Sequence, residues 1–249
     1  MIARPAPDWL TQWEYAHRGL HHPGAPENSR AAAEGAIAAG MGIECDIQMS
    51  RDNVPLVFHD WDLDRLTKEG GKVGARTADD LCRIPLLDTA QTIWRLTDLL
   101  ELVAGRVPLL IEVKAQPHLP LAEPCMAIAK VLADYAGPFA VMSFDLRMGE
   151  WFAKHAPEMV RGLVITDTLD HGYKNAWRMP HALERAAPDF LASDVRDIPN
   201  ALTNLWRETG RPLLTWTVRS PETRARGIAH ADALIAEGPG LDTERNALA

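Results

Sequence analysis

The chain has 249 residues, 47% of them hydrophobic and 24% charged, so it carries enough apolar side chains for a large core and is not a disordered segment. Its 26 basic and 34 acidic residues leave a net charge of −8, which argues against the basic surface that duplex nucleic acid requires but allows a local cationic pocket for one phosphate. The 3 cysteines are too few for a disulfide framework, and no apolar run reaches the roughly 18 residues of a membrane helix. A cytoplasmic protein without an integral membrane segment is therefore expected.

Short apolar segments alternate with helical patterns from one end of the chain to the other. Eight strands are predicted, at residues 14–17, 42–48, 108–114, 139–144, 162–166, 189–193, 212–218 and 233–237. Helices are predicted near residues 28–39, 97–104, 121–135, 145–155, 174–186, 198–208 and 221–229, the first with Asn28 as its N-cap and Gly40 at its end.

This alternation predicts a TIM-like (β/α)8 barrel formed by residues 1–249 as a single domain. An open, doubly wound sheet is the alternative. It is disfavoured because no Gly-x-Gly-x-x-Gly turn follows the first predicted strand.

Residues 54–59 also have the pattern of a strand, but only residues 50–53 separate them from the second predicted strand. Parallel neighbours need a crossover of about a dozen residues, so this pair is expected to form a hairpin above the C-terminal rim of the barrel. If Ser50 pairs with Val54, His59 lies opposite Cys45. Residues 60–96 then form a short irregular insertion after the second strand.

Glu44 and Asp46 are two residues apart on the second predicted strand, so their side chains point to the same side of the sheet. The flanking Ile43, Cys45 and Ile47 are apolar and are expected to face the helices, which turns both carboxylates toward the barrel interior. Two like charges there need a neutralising partner, and oxygen ligands suit Mg²⁺ or Ca²⁺. A pair solvated at the rim or held by arginine is the alternative.

Glu112 and Lys114 repeat this pattern on the strand at 108–114, with Ile111 and Val113 pointing outward. Glu112 supplies a third carboxylate at the matching level of the barrel. Lys114 lies two residues beyond Glu112 on the same strand, closer to the rim of the barrel, and is expected to reach a phosphate bound at the metal. A Glu–Lys arrangement that only balances internal charge is the alternative.

His17 ends the first predicted strand and is followed by Arg18 and Gly19, a combination suited to binding phosphate oxygens. By the hairpin register, His59 reaches the same rim. Two histidines beside a metal-bound phosphate ester have the right ordinary pKa to act as general base and general acid. A structural His17 and an ordinary His59–Asp60 loop pair are the alternatives.

Five motifs occur in fixed order: His17-Arg18-Gly19, Pro26-Glu27-Asn28-Ser29, Glu44-Cys45-Asp46, Val57-Phe58-His59-Asp60 with Arg65 and Thr67, and Ile111-Glu112-Val113-Lys114. Their order and spacing resemble the glycerophosphodiester phosphodiesterase family. Looser matches extend the resemblance along nearly the whole chain, at Ser143-Phe144, Trp216-Thr217-Val218 and Glu237-Gly238-Pro239.

The resemblance implies a hydrolase that cleaves small-molecule glycerophosphodiesters to glycerol 3-phosphate and an alcohol. It implies three groups of site residues: Glu44, Asp46 and Glu112 as ligands of Mg²⁺ or Ca²⁺, His17 and His59 as the acid–base pair, and Arg18 and Lys114 as phosphate-binding groups. Trp216 and Phe144 are expected to line the mouth of the barrel as substrate contacts, with core aromatics as the alternative.

Two departures from the family pattern concern the rim: Arg219 replaces an asparagine, and Ala236-Glu237 replaces Thr-Asp. They are expected to affect head-group preference rather than the metal or the histidines. Rival hypotheses are a phospholipase D-like relative acting on lipids, a barrel that binds a phosphate ligand without catalysis, and an enolase-type metalloenzyme. The last would carry an N-terminal capping domain, whereas a barrel strand is already predicted at residue 14. No oligomeric state is predicted.

Overall fold

The computed structural model describes residues 5–167 and 181–242. The strands within this part of the chain are Tyr15–His17 (β1), Gly42–Met49 (β2), Pro55–Val57 (β3), Trp94–Arg95 (β4), Leu109–Val113 (β5), Phe139–Ser143 (β6), Val160–Ile165 (β7), Phe190–Asp194 (β8), Leu213–Val218 (β9) and Ala233–Ala236 (β10). The α-helices are Arg30–Ala38 (α1), Ala78–Leu81 (α2), Leu96–Val103 (α3), Ala122–Leu132 (α4), Leu146–His155 (α5), Ala182–Ala186 (α6), Ala201–Glu208 (α7) and Pro221–His230 (α8).

Eight of these strands form a closed parallel barrel. The strands follow one another around the sheet as β1-β10-β9-β8-β7-β6-β5-β2, and β1 also pairs with β2. The predicted TIM-like barrel is confirmed, and the open sheet is excluded. Each of the eight predicted barrel strands overlaps an observed one; of the predicted helix at 174–186, residues 174–180 lie outside the described residues.

The predicted hairpin joins β2 and β3. Ile47 pairs with Val57 and Met49 with Pro55 in an antiparallel register. Extending that register by two residues, through Asp46 and Phe58, would bring His59 opposite Cys45, the position that the sequence predicts. The hairpin therefore carries the chain from the barrel rim outward and back again.

The insertion that follows the hairpin is more ordered than predicted. It contains α2 and β4, and β4 pairs with β3 in an antiparallel register. Its apolar side chains form a small core of their own, which includes the fully buried Leu63, Leu81 and Ile93. Burying an aliphatic side chain of this size contributes about 1.5–3 kcal/mol, enough in sum to order a segment with little regular structure.

The barrel strands present two different faces. Tyr15, Leu110 and Phe190 pack in the interior cluster, whereas Ile43 and Cys45 pack outward against the helices. Alternate residues of β2 and β5 must therefore point inward, as predicted. None of the described helices has the length and apolar character to cross a bilayer.

Candidate active site

Three carboxylates meet at the C-terminal end of the barrel, and we call them the carboxylate cluster: Glu44 and Asp46 of β2 and Glu112 of β5. Asp46 lies directly opposite Glu112 in the parallel register. Each residue is at most 8% exposed, and one oxygen of each lies within 4.8 Å of the others. Burial, together with the charges of Asp46 and Glu112, raises the pKa of Glu44 well above its ordinary value. The cluster therefore needs positive charge nearby.

Two basic side chains supply that charge. Lys114 Nζ lies 2.7 Å from Asp46 Oδ1 and also contacts Glu112 Oε1, and Arg18 Nε lies 3.2 Å from Asp46 Oδ2. Burial alone would raise the pKa of Asp46, but Lys114 and Arg18 outweigh it and hold that pKa below its usual range. When all five groups are ionised, three negative charges face two positive ones. A divalent cation would convert the excess to one positive charge, which matches the single negative charge of a phosphodiester.

The donor set fits a hard cation. All three candidate ligands are carboxylate oxygens, which suit Mg²⁺ or Ca²⁺ rather than zinc. Arg18 Nε is buried beside Asp46 but forms no hydrogen bond with it or with any other group within residues 5–167 and 181–242. A buried donor without an aligned acceptor is costly, and an oxygen of an incoming ligand would supply that acceptor.

A tight turn directs Arg18 into the site. Arg18 and Gly19 both have positive φ, at 58° and 77°, and the Arg18 N–H donates to Glu44 Oε2 at 3.1 Å. A Cβ on residue 19 would lie 2.8 Å from the backbone carbon of Ala32. Glycine is therefore required here both for its φ and for the close approach of α1.

Asn28 supports Asp46 instead of capping α1. Asn28 Nδ2 donates to Asp46 Oδ2 at 2.8 Å, and the Asp46 N–H donates to Asn28 Oδ1 at 3.2 Å. The N-cap is Ser29, whose Oγ accepts from the Ala32 N–H. The predicted cap was therefore wrong by one residue, because the Asn28 side chain is already used by a strand carboxylate.

His17 stands between the carboxylate cluster and the last strand. Its Nδ1 contacts Glu237 Oε2, and its Nε2 lies 3.9 Å from Glu44 Oε2. Burial lowers the pKa of His17 to about 4, although the hydrogen bond to Glu237 opposes that shift. The ring is thus neutral near pH 7. With its proton on Nδ1 for Glu237, the Nε2 lone pair faces the site.

Glu237 has a role that the sequence did not reveal. Besides His17, its carboxylate contacts His21 Nε2 at 3.2 Å and Arg219 Nε at 2.5 Å. Arg219 and Glu237, the two departures from the family pattern, therefore form an ion pair with each other. Because Glu237 also contacts His17, they affect this histidine as well as the rim. His21 belongs to none of the sequence motifs described above, and its position two residues after the Gly19 turn is the one signal that points to it.

His59 belongs to a network that runs along the rim. Its Nδ1 contacts Asp60 Oδ1 at 2.6 Å, and Arg65 joins Asp60 to Glu27 through Nε and both terminal nitrogens. Glu27 also accepts from Arg18. Burial would raise the pKa of Glu27, but Arg65 and Arg18 lower it to about 2. Through this network, the loop that carries His59 is tied to the turn that carries Arg18.

Phe144 and Trp216 lie together above the barrel interior. Their rings meet edge to face, with centroids 5.4 Å apart and planes at 88°. Trp216 Nε1 donates to the Ala192 carbonyl at 3.0 Å. Both rings pack on the interior cluster and are partly exposed, so they close the core and also reach the mouth of the barrel.

A family model, the glycerophosphoryl diester phosphodiesterase family, matches residues 17–240. That span contains every candidate site residue described above. The chain belongs to this family.

Individual relatives agree with this membership. A glycerophosphodiester phosphodiesterase of Caldanaerobacter subterraneus subsp. tengcongensis is 28% identical over 90% of this chain and 93% of its own length. Glycerophosphodiester phosphodiesterase 1 of Rattus norvegicus is 44% identical over 59 residues, and the match spans 23% of this chain and only 18% of the rat protein.

Solved structures show the same fold. An Oleispira antarctica phosphodiesterase in complex with the product sn-glycerol-3-phosphate superposes with a TM-score of 0.77 at 22% identity, over 90% of this chain and 92% of that one. At this identity the likeness extends to the barrel architecture alone.

Proposed function

We propose that this chain hydrolyses glycerophosphodiesters to glycerol 3-phosphate and an alcohol, with a divalent cation and two histidines. The observation that carries the proposal is the carboxylate cluster, set between Lys114, Arg18 and His17 at the end of the barrel where TIM-barrel enzymes carry out their chemistry. Family membership and the product named for the Oleispira antarctica protein support the same reaction.

Glu44, Asp46 and Glu112 would hold the cation, Mg²⁺ or Ca²⁺. When bound, such an ion polarises phosphoryl oxygens and lowers the pKa of a nearby nucleophile. Lys114 and Arg18 would neutralise the phosphate from the two sides on which they already flank Asp46. Substrate phosphate would thus meet basic groups whose positions are fixed by buried ion pairs.

His17 would act as the general base through Nε2. Its Nδ1 is engaged by Glu237, and burial keeps the ring neutral, so the lone pair is ready to accept the proton of the nucleophile. His59, supported by Asp60, would deliver a proton to the leaving alcohol oxygen. The nucleophile is either water or the glycerol hydroxyl next to the ester; the second route passes through a cyclic phosphate that water then opens.

Trp216 and Phe144 would form the wall of the pocket for the head group, since both rings reach the mouth of the barrel. Substitution of Trp216 by Ala should then change the relative rates on different glycerophosphodiesters. Unchanged relative rates with reduced stability would instead identify Trp216 as a core residue.

The decisive experiment is release of glycerol 3-phosphate from glycerophosphocholine and glycerophosphoethanolamine by the purified chain. Turnover should be abolished by exhaustive chelation and restored by Mg²⁺ or Ca²⁺. Binding of glycerol 3-phosphate without any turnover would support the non-catalytic barrel instead.

We also propose that residues 1–249 form one domain, because the insertion after β2 pairs with the barrel sheet through β3 and β4. Limited proteolysis should then give no stable fragment smaller than the barrel. The cytoplasmic location remains a prediction, to be checked by cell fractionation.

A further inference from the structure

A second group of metal-binding side chains lies beside the carboxylate cluster, and we call it the histidine cluster: His17, His21 and Glu237. His17 ends β1, His21 lies in the turn after it, and Glu237 follows β10. One ligand atom of each residue lies within 4.8 Å of the others, and both His17 Nδ1 and His21 Nε2 contact Glu237 Oε2. The side chains of His21 and Glu237 are 29% and 18% exposed, against 9% for His17, so the group is open to solvent on one side.

We infer that His17 Nδ1, His21 Nε2 and Glu237 Oε2 form an inhibitory site for a borderline transition-metal ion such as Zn²⁺. Two imidazoles and one carboxylate are a typical protein donor set for zinc, with water completing a tetrahedron. The carboxylate cluster, by contrast, offers only oxygens and suits Mg²⁺ or Ca²⁺. The two groups should therefore select different ions in the same protein.

The donor atoms of the histidine cluster are already close to the separations that a tetrahedral metal requires, except at one contact. Tetrahedral bonds of about 2.0–2.2 Å place neighbouring donor atoms about 3.3–3.6 Å apart. His21 Nε2 and Glu237 Oε2 are already 3.2 Å apart. His17 Nδ1 contacts the same oxygen through a hydrogen bond, so metal binding requires this contact to open and the Nδ1 proton to leave.

The positive charge of Arg219 opposes binding of a metal ion at the histidine cluster. Arg219 Nε contacts the other oxygen of Glu237, at 2.5 Å, and the Arg219 side chain is largely exposed. The guanidinium can swing into solvent when the dication enters, because little packing holds it. Residue 219 therefore sets how tightly the histidine cluster binds metal, and asparagine at this position should strengthen binding.

A metal bound at His17 Nδ1 would prevent Nε2 of the same ring from accepting a proton. A neutral imidazole carries one proton, and once Nδ1 binds the ion that proton resides on Nε2. Nε2, which lies 3.9 Å from Glu44 Oε2, then has no lone pair for a proton from the nucleophile. This inhibitory consequence rests on the proposed function, whereas metal binding itself does not.

The binding test uses Co²⁺ as a spectroscopic probe for Zn²⁺, on the full chain with saturating Mg²⁺ in the carboxylate cluster. One equivalent of Co²⁺ should give the intense visible bands of a tetrahedral site, and Zn²⁺ should displace them. The bands should disappear in His21→Ala and persist in Glu112→Gln. His22→Ala is the matched control, because it removes the neighbouring imidazole, whose Nδ1 accepts from the Gly24 N–H outside the cluster.

The activity test adds Zn²⁺ to the Mg²⁺-loaded enzyme. Inhibition should not be relieved by excess Mg²⁺. His21→Ala, compared with its own zinc-free rate, should lose zinc sensitivity by more than about 100-fold. Bands or inhibition that survive in His21→Ala, or that vanish in His22→Ala, would overturn the inference. If the wild-type chain shows no turnover at all, the proposed function fails and the Co²⁺ spectra still decide the metal site.

Discussion

Two sets of acidic residues lie at the mouth of the barrel, and they are built differently. In the second half of the chain, Asp145 and Asp194 each begin an Asp-x-Arg sequence, and Arg147 and Arg196 cover both carboxylate oxygens at 2.5–3.2 Å. In the first half, the carboxylate cluster draws its three members from two strands and shares Lys114 and Arg18.

This difference in construction indicates that the Asp-x-Arg pairs stabilise the fold and that the carboxylate cluster binds a ligand. Each Asp-x-Arg pair neutralises its carboxylate with an arginine two residues away, and Asp145 also caps α5 through the Arg147 N–H. The carboxylate cluster brings three like charges together from two strands, and its two basic neighbours, Lys114 and Arg18, leave one negative charge unbalanced. Such an arrangement costs stability and is retained where a ligand supplies the missing charge. The cluster should therefore matter for activity and the pairs for stability.

The largest expected effect comes from Glu112→Gln. Loss of one candidate ligand should lower kcat/KM by about 10⁴-fold, the scale of the charge stabilisation that a cation supplies to a phosphoryl transition state. Because the variant relieves like-charge repulsion, its melting temperature in chelator should be unchanged or higher. Steady-state kinetics with a Mg²⁺ titration test the expected loss of activity, and calorimetry in chelator tests the expected melting temperature. A large loss of stability alongside activity would identify the cluster as structural.

The histidines should each contribute about 10²–10⁴-fold to the rate. His17→Ala and His59→Ala are compared at saturating metal, with folding verified by circular dichroism. Under the proposed mechanism the two rings serve one reaction, so the double variant should lose less than the product of the single losses. A near-normal rate in either single variant would remove that histidine from the mechanism.

Acid should destabilise the protein through His17. Its pKa is about 4 in the folded chain and ordinarily 6.5, so below pH 6.5 the unfolded chain takes up a proton that the folded chain does not. Stability is therefore lost as the pH falls from 6.5 toward 4, on the order of 2 kcal/mol by pH 5. Urea unfolding in chelator at pH 7 and pH 5 should show a shallower loss for His17→Gln than for the wild type. Equal losses would show that burial of His17 has no such effect.

The smallest effect is expected from the Asp-x-Arg pairs. Asp145→Ala removes the cap of α5 and should lower the free energy of unfolding by about 1–2 kcal/mol. Its kcat/KM should stay close to the wild-type value. Asp145→Asn, which keeps a capping oxygen, is the matched control and should recover most of the stability. A loss of activity in Asp145→Ala at full stability would bring this pair into the reaction.

Much of this architecture followed from local patterns. Glu44 and Asp46 were expected to point inward because Ile43 and Cys45 alternate with them, and alternation along a strand depends only on the backbone. The hairpin was expected because four residues are too few for a parallel crossover. The insertion after it was underestimated, since its order comes from apolar packing among residues without a clear period.

Local patterns alone therefore predict the strands, their inward and outward faces, the register of the hairpin and the residues at strand ends. Which of those residues come into contact depends on how the barrel closes. Closure of the barrel sets β10 against β1, so Glu237 reaches His17 across 220 positions in the chain. Tertiary packing also places the Asn28 side chain against Asp46, so that this side chain does not cap α1. Contacts of this kind depend on how distant segments pack, which no local spacing encodes.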